Sequence, residues 1–183
     1  LLLKCMEGET AASIASQMQL FNERILPTLD SNIKDGNSLI DIDFYETALD
    51  FGDEKKIKPF NWKNGFTDIF KNNGFDVVIG NPPYRMMQPK DTDLTILQYF
   101  KHNYNVAEFK IDLFHLFFQK GVQLLKVKGL LGFIAPSSLL NNVYAENLRK
   151  WILNNTLIDQ IALTKEKVFP DADVYTAVYV FER

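Results

Sequence analysis

The sequence predicts an α/β fold, a mostly parallel sheet ending in an antiparallel hairpin, and three observations carry that expectation. Residues 76 to 80, Asp-Val-Val-Ile-Gly, form a short apolar run bounded by Gly74 and Gly80, the make-up of a central parallel strand buried on both faces. An apolar stripe at helical spacing from Phe114 to Leu125 leads into a second apolar run at 130–134. Two further apolar runs, 157–163 and 175–181, flank the turn Val168-Phe-Pro-Asp-Ala-Asp173, as in a long hairpin. Strand, helix, strand, helix and hairpin in that order make an alternating α/β arrangement.

Each element has its own reason. Residues 4 to 26 are expected to be helical, with Ile14, Met18, Phe21 and Ile25 on one side and Pro27 as the stop. A short strand near Ile33 runs into the Asp35-Gly36-Asn37 turn. Residues 41 to 62 are acidic and aromatic without a clear period, which suggests a helix near 43–50 and then a loop. One or two helical turns at 65–71 feed the strand at Asp76. The polar stretch from 85 to 108 has little pattern and reads as a mobile lid. Phe114, Phe117, Phe118, Gly121, Val122 and Leu125 then fall at i, i+3, i+4, i+7, i+8 and i+11, a stripe that packs on a sheet. Gly129 closes the connection to the strand at 130–134. Ser137 or Ser138 is placed to cap a helix running to about Asn154, with Leu139, Leu148 and Trp151 facing inward.

Composition bounds the possibilities. At 183 residues and 46% hydrophobic content the chain can bury one core, so it is one domain or part of one. It contains no apolar run long enough to span a bilayer, and Leu1 to Leu3 are too few for a signal-peptide core. Cys5 stands alone, which excludes an internal disulfide and a cysteine-based zinc site and suits a reducing cytoplasm. His102 and His115 lack ligand spacing, so no metal site is expected. With 20 Lys and Arg against 23 Asp and Glu, the net charge of −3 offers no basic excess for gripping nucleic-acid phosphates. The densest basic stretch, Lys55-Lys-Ile-Lys58, follows Asp53-Glu54 and reads as a solvated loop.

The strand at Asp76 stops at Asn81-Pro-Pro-Tyr84. Pro82 and Pro83 have no backbone N–H and a fixed φ, and each holds its predecessor extended, so the turn is stiff and rich in acceptors. The Asn81 side-chain oxygen and the Pro82 carbonyl can take both protons of an exocyclic amino group while Tyr84 stacks on the attached ring. Ligands of open α/β sheets sit at the carboxyl ends of such strands. An ordinary strand-ending turn is the alternative.

Residues Asp76-Val-Val-Ile-Gly-Asn-Pro-Pro-Tyr84 resemble the catalytic motif of S-adenosylmethionine-dependent amino-group methyltransferases, above all the DNA adenine-N6 enzymes. Three further segments resemble large restriction-modification methyltransferases of the Eco57I-like type: Asn32-Ile-Lys-Asp-Gly-Asn-Ser-Leu39, Gly129-Leu-Leu-Gly-Phe-Ile-Ala-Pro-Ser-Ser-Leu139 and Val168-Phe-Pro-Asp-Ala-Asp-Val-Tyr-Thr-Ala-Val178. The resemblance implies the C-terminal part of a Rossmann-like class I methyltransferase fold. It also implies transfer of a methyl group from S-adenosylmethionine to the N6 amino group of a flipped adenine in double-stranded DNA, in a bacterial or archaeal restriction-modification or phage-defence enzyme.

On that resemblance Asn81, Pro82 and Tyr84 are catalytic, Tyr84 and Phe169 sandwich the flipped base, and Asn37, Asp35 and Asn81 contact the cofactor. Asn37 stands where the family often has an acidic residue. No Gly-x-Gly pair occurs in the chain, so the cofactor loop cannot be located. The expectation is therefore a partial catalytic domain over residues 1–183 of a longer polypeptide, inactive alone. The rest would supply the cofactor loop, a target-recognition domain and, in some relatives, a nuclease. Two readings remain open at this point: a protein-glutamine or RNA N-methyltransferase, and an inactive scaffold of the same fold.

Overall fold

The computed structural model describes residues 31–47, 57–107, 110–165, 168 and 174–183. The chain divides into two compact units, Leu1–Asp35 and Gly36–Arg183. In the first, the described residues 31–35 form a turn and an extended piece, with the Ser31 hydroxyl donating to Asn32 Oδ1 at 2.6 Å. The strand expected near Ile33 is absent from 33–35, and the helix expected over 4–26 lies outside the described residues.

The second unit contains α1 (Phe44–Thr47), α2 (Trp62–Gly65), α3 (Thr67–Lys71), β1 (Phe75–Gly80), α4 (Leu94–Asn103), α5 (Leu113–Leu124), β2 (Leu125–Pro136), α6 (Glu146–Asn155), β3 (Leu157–Leu163) and β4 (Thr176–Glu182). Among the described residues the strands make one sheet in the order β1-β2-β4-β3. β1 runs parallel to β2, while the β2–β4 and β3–β4 pairings are antiparallel. The α/β class and the terminal hairpin of β3 and β4 match the expectation from sequence. The expected predominance of parallel pairing does not hold for these strands, because the hairpin inserts β4 between β2 and β3.

Two more expectations are corrected. Among the described residues β1 is an edge strand, not a central one, and Val77 and Ile79, which point to the same face of the sheet, are 53% and 79% exposed. The polar stretch from 85 to 108 is not an unstructured lid, since it contains α4. Asp93 caps that helix by accepting from the Thr95 N–H at 2.8 Å, and Leu97, Tyr99 and Phe100 are buried beneath it.

β2 begins five residues earlier than expected. Its register advances from Leu125 to Leu130 while β1 advances from Phe75 to Val77, so an extra loop is extruded at 126–129. Lys128 takes φ 64° there. A Cβ on Gly129 would lie 2.9 Å from the Phe75 carbonyl oxygen, so only glycine passes the neighbouring strand. Downstream, the long helix expected from Ser137 or Ser138 is broken. Neither serine caps it; Ser137–Leu140 and Val143–Ala145 are single 3-10 turns. The Asn142 side chain caps the second by accepting from the Tyr144 N–H at 2.9 Å, and α6 starts only at Glu146. Leu139 and Leu148 are nevertheless buried as expected, and Trp151 packs half-buried against the core.

The core lies between α5 and the sheet. Phe114, Phe118 and Val122 are buried against Leu131, Phe133, Tyr179 and Phe181. The Phe118 ring meets Phe133 edge-on at 5.2 Å and Tyr179 at 5.5 Å. Helix and sheet approach closely at Gly121, where an added Cβ would lie 2.6 Å from Leu131 Cδ1 and 3.0 Å from Phe133. That approach aligns the far stripe of α5 with the end of β1. No described helix is long and apolar enough to cross a membrane.

Candidate active site

At the carboxyl end of β1 the chain turns through Asn81-Pro-Pro-Tyr84. Asn81 and Pro83 are exposed, Pro82 is buried and Tyr84 is half-buried. The Tyr84 hydroxyl lies 2.9 Å from Asn81 Oδ1 and 3.2 Å from the Ile134 carbonyl oxygen at the end of β2. One phenolic proton is shared between two acceptors, so the turn is tied both to itself and to the next strand. Burial pushes the Tyr84 hydroxyl above its ordinary pKa, which keeps it a donor at neutral pH. The Pro82 carbonyl accepts no hydrogen bond among the described residues. Asn81 Oδ1 keeps one lone pair beyond the bond from Tyr84. Two acceptors therefore stand on one stiff turn.

The exit from the turn is equally fixed. The Arg85 carbonyl accepts from the Leu113 N–H at 3.0 Å, the Met87 N–H donates to Ile111 O at 2.8 Å, and the Arg85 N–H donates to the Asp112 carboxylate at 3.1 Å. Asp112 thus joins the turn to the start of α5. Burial raises its carboxyl above the usual range, against the pull of the backbone N–H groups that it accepts from. The Tyr84 ring sits edge-on to Phe114 at 6.4 Å.

Beside the turn lies a cleft of about 270 Å³. One wall is β1 and the turn, from Val78 to Pro83. The floor is Phe117, Lys120, Gly121 and Leu124 from α5, spaced i, i+3, i+4 and i+7, with Phe133 from β2. Ser38 and Trp62 line it as well. The segment carrying Ser38 is held by the Asn37 N–H donating to Lys58 O at 2.7 Å, the Phe60 N–H donating to Ile40 O at 2.8 Å and the Trp62 indole N–H donating to Ser38 O at 3.0 Å. The buried Tyr104 hydroxyl completes the clamp by donating to Leu39 O at 2.6 Å.

The residues singled out from sequence divide accordingly. Asn81 and Pro82 line the cleft. Tyr84 is bonded to Asn81. Asn37 closes its own turn, its Oδ1 accepting from the Leu39 N–H at 3.1 Å, and its neighbour Ser38 is the one that lines the cleft. Asp35 belongs to the first unit, and Phe169 lies outside the described residues. Sequence reasoning did not select Ser38, Trp62, Phe117 or Lys120 as site residues. For Lys120 there was a readable signal, a charged residue three positions after Phe117 in an otherwise apolar stripe. No group of acidic, histidine and cysteine side chains suited to a metal occurs among the described residues.

Comparison with known proteins identifies the family and the fold. The family model described as Eco57I restriction-modification methylase matches residues 3–169. The chain is 34% identical over 185 residues to the type II restriction enzyme and methyltransferase RM.Eco57I of Escherichia coli, covering 97% of this chain and 16% of that protein. It is 31% identical over 123 residues to the type II methyltransferase M.BstVI of Geobacillus stearothermophilus, covering 66% of this chain and 21% of that protein. The chain thus spans about a fifth or less of the length of these relatives. Among solved structures, the DrdV–DNA complex superposes with a TM-score of 0.57 at 20% identity, over 93% of this chain and 18% of that one. A Listeria monocytogenes protein described as a candidate class I S-adenosylmethionine-dependent methyltransferase superposes with a TM-score of 0.50 at 21% identity, over 60% of this chain and 32% of that one. The likeness to the second shows the class I methyltransferase fold.

Proposed function

Since the chain belongs to the Eco57I restriction-modification methylase family, we propose that the protein carrying it transfers a methyl group from S-adenosylmethionine to the N6 amino group of adenine in double-stranded DNA, in a restriction-modification or phage-defence enzyme. The observation that carries this reading is the pair of acceptors on the Asn81-Pro-Pro-Tyr84 turn, one oriented by the Tyr84 hydroxyl and the other unoccupied.

An aromatic amino nitrogen is a poor nucleophile because its lone pair is delocalised into the ring. Asn81 Oδ1 and Pro82 O, each accepting one of its protons, favour a pyramidal nitrogen whose lone pair projects from the ring plane. The acceptors are fixed before the substrate arrives, by two prolines and by the Tyr84 hydroxyl, so no reorganisation is needed at the moment of reaction. Because the amino group of a paired adenine is inside the duplex, the base must be extruded, and Tyr84 is proposed to stack on it. Phe169 is proposed as the opposite face of that sandwich. With its net charge of −3 the chain itself contributes little phosphate grip.

The cleft suits part of the cofactor. At about 270 Å³ it is just short of the ~300–1,000 Å³ of sites that take a whole small ligand. Its lining is largely apolar with a few polar groups, among them Ser38, Asn81 and Lys120, which suits a purine ring rather than the entire molecule. Ser38, Phe117 and Pro82 would hold that ring, with Asn37, next to Ser38, as a proposed polar contact. The cofactor, when bound, supplies the methyl group on a positively charged sulfur.

The test is direct. The full polypeptide, given S-adenosylmethionine labelled in its methyl group and mixed-sequence duplex DNA, should place label in N6-methyladenine on nucleoside analysis. Label in cytosine alone, or in protein or RNA but not DNA, would overturn the reading.

A further inference from the structure

Lys120 is an unusual residue for the place it occupies. It sits on α5 between Phe117 and Leu124 and lines the cleft beside Asn81, yet its ammonium makes neither an ion pair nor a hydrogen bond among the described residues. Burial lowers its pKa, and the carboxylates of Asp41 and Asp43 act on it only at longer range, in the opposite sense. Those carboxylates are engaged elsewhere: Asp41 Oδ1 accepts from the Asn61 amide at 2.9 Å and Asp43 Oδ1 from the Tyr99 hydroxyl at 2.7 Å. A partly desolvated cation without a partner costs free energy in the empty protein, and a ligand acceptor would offset that cost.

Building on the cofactor reading above, we propose that Lys120 is a specificity residue for the cofactor's base, donating a hydrogen bond to one ring nitrogen of the purine held in the cleft. A neutral acceptor fits better than a carboxylate, because Asp41 and Asp43 already bias the electrostatic surroundings of Lys120 against a further anion. Around Lys120 the floor is mostly apolar, with Phe117 and Leu124 each about one turn of helix away and Phe133 beside them, so a planar ring laid on them would turn its edge toward the ammonium. A site built to donate to a ring nitrogen discriminates against a ring that lacks it, because the donor is then left desolvated and unpaired.

The experiment measures binding rather than turnover. Affinities of the full polypeptide for S-adenosylhomocysteine and for its 1-deaza, 3-deaza and 7-deaza purine analogues are determined by calorimetry, for the wild type, Lys120→Met and Lys120→Arg. The expected result is that the wild type loses about tenfold to a hundredfold in affinity for one of the three analogues, as for a hydrogen bond from a charged donor. Lys120→Met should lose the same factor for the parent compound and be indifferent to that nitrogen, and Lys120→Arg should recover part of it. Lys120→Gln, measured alongside, serves if the Met variant does not fold. Equal sensitivity of wild type and variants to all three replacements, or unchanged affinity of Lys120→Met for the parent compound, would overturn the assignment. A wild-type protein that binds no S-adenosylhomocysteine would overturn the cofactor reading instead.

Discussion

The Tyr84 hydroxyl stands 2.9 Å from Asn81 Oδ1, so the side chain proposed to stack on the substrate base also orients the side chain proposed to accept from its amino group. The two contributions can be separated. Tyr84→Phe keeps the ring and removes the hydroxyl, and should lower the single-turnover rate about two- to tenfold, the worth of one hydrogen bond. Tyr84→Ala removes the ring too, and should add a loss of about 1–3 kcal/mol in holding the extruded base. Rapid-quench methyl transfer together with binding to DNA carrying a mismatched target adenine would resolve them. Equal effects of both variants would mean that the ring does no stacking.

Asn81→Ala should abolish transfer with little change in folding. Asn81 is exposed, and Tyr84 keeps Ile134 O as its acceptor, so no buried group is orphaned. Methyl transfer and urea denaturation of the same preparation test this together. Loss of folding with activity retained per folded molecule would remove Asn81 from the mechanism.

How much of this was legible beforehand varies with the kind of signal. The turn at Asn81 and the stripe of α5 were readable because both are local: proline geometry and helical spacing need no knowledge of neighbours. Phe114, Phe118 and Val122 are buried as the spacing requires. What failed depended on tertiary context. The apolar run of β1 reads as doubly buried, yet Val77 and Ile79, on one face of the sheet, are 53% and 79% exposed, since no described helix covers that face there. The pairing Asn141-Asn142 broke an expected helix, since the Asn142 side chain competes for the backbone. α4 was hidden in polar sequence although Asp93 and Thr95 mark its start. In the cleft, Ser38 and Lys120 come from segments 82 residues apart, and no local pattern joins them.

Gly121 offers a test of how closely α5 must approach the sheet. A methyl group there would lie 2.6 Å from Leu131 Cδ1 and 3.0 Å from Phe133, both on the strand beneath. Gly121→Ala should therefore destabilise the unit by about 1–3 kcal/mol through overpacking, outweighing the gain in helix propensity. Because Gly121 also floors the cleft, affinity for S-adenosylhomocysteine should fall with it. Urea midpoints and calorimetry measure the two effects, and a stabilised variant would contradict the packing described.

His115 predicts the acid limit of stability. It is 4% exposed on α5, and burial, aided by the charge of Arg149, lowers its pKa to about 4 from an ordinary 6.5. A lowered pKa on a base means that the unfolded chain binds the extra proton between those two values. Stability should therefore fall as the pH drops from about 6.5 to about 4, by on the order of 2–3 kcal/mol in total. Asp112, just before the first residue of the same helix, has the opposite sign: its raised pKa disfavours the folded state as the pH climbs above the usual carboxylate range. The two are separated by His115→Leu, which removes the imidazole and leaves Asp112. Urea midpoints of wild type and variant are measured at intervals from about pH 7.5 to about 4.5, and the wild-type midpoint should fall relative to that of the variant as the pH is lowered through this range. Parallel profiles would show that His115 titrates freely in the folded protein.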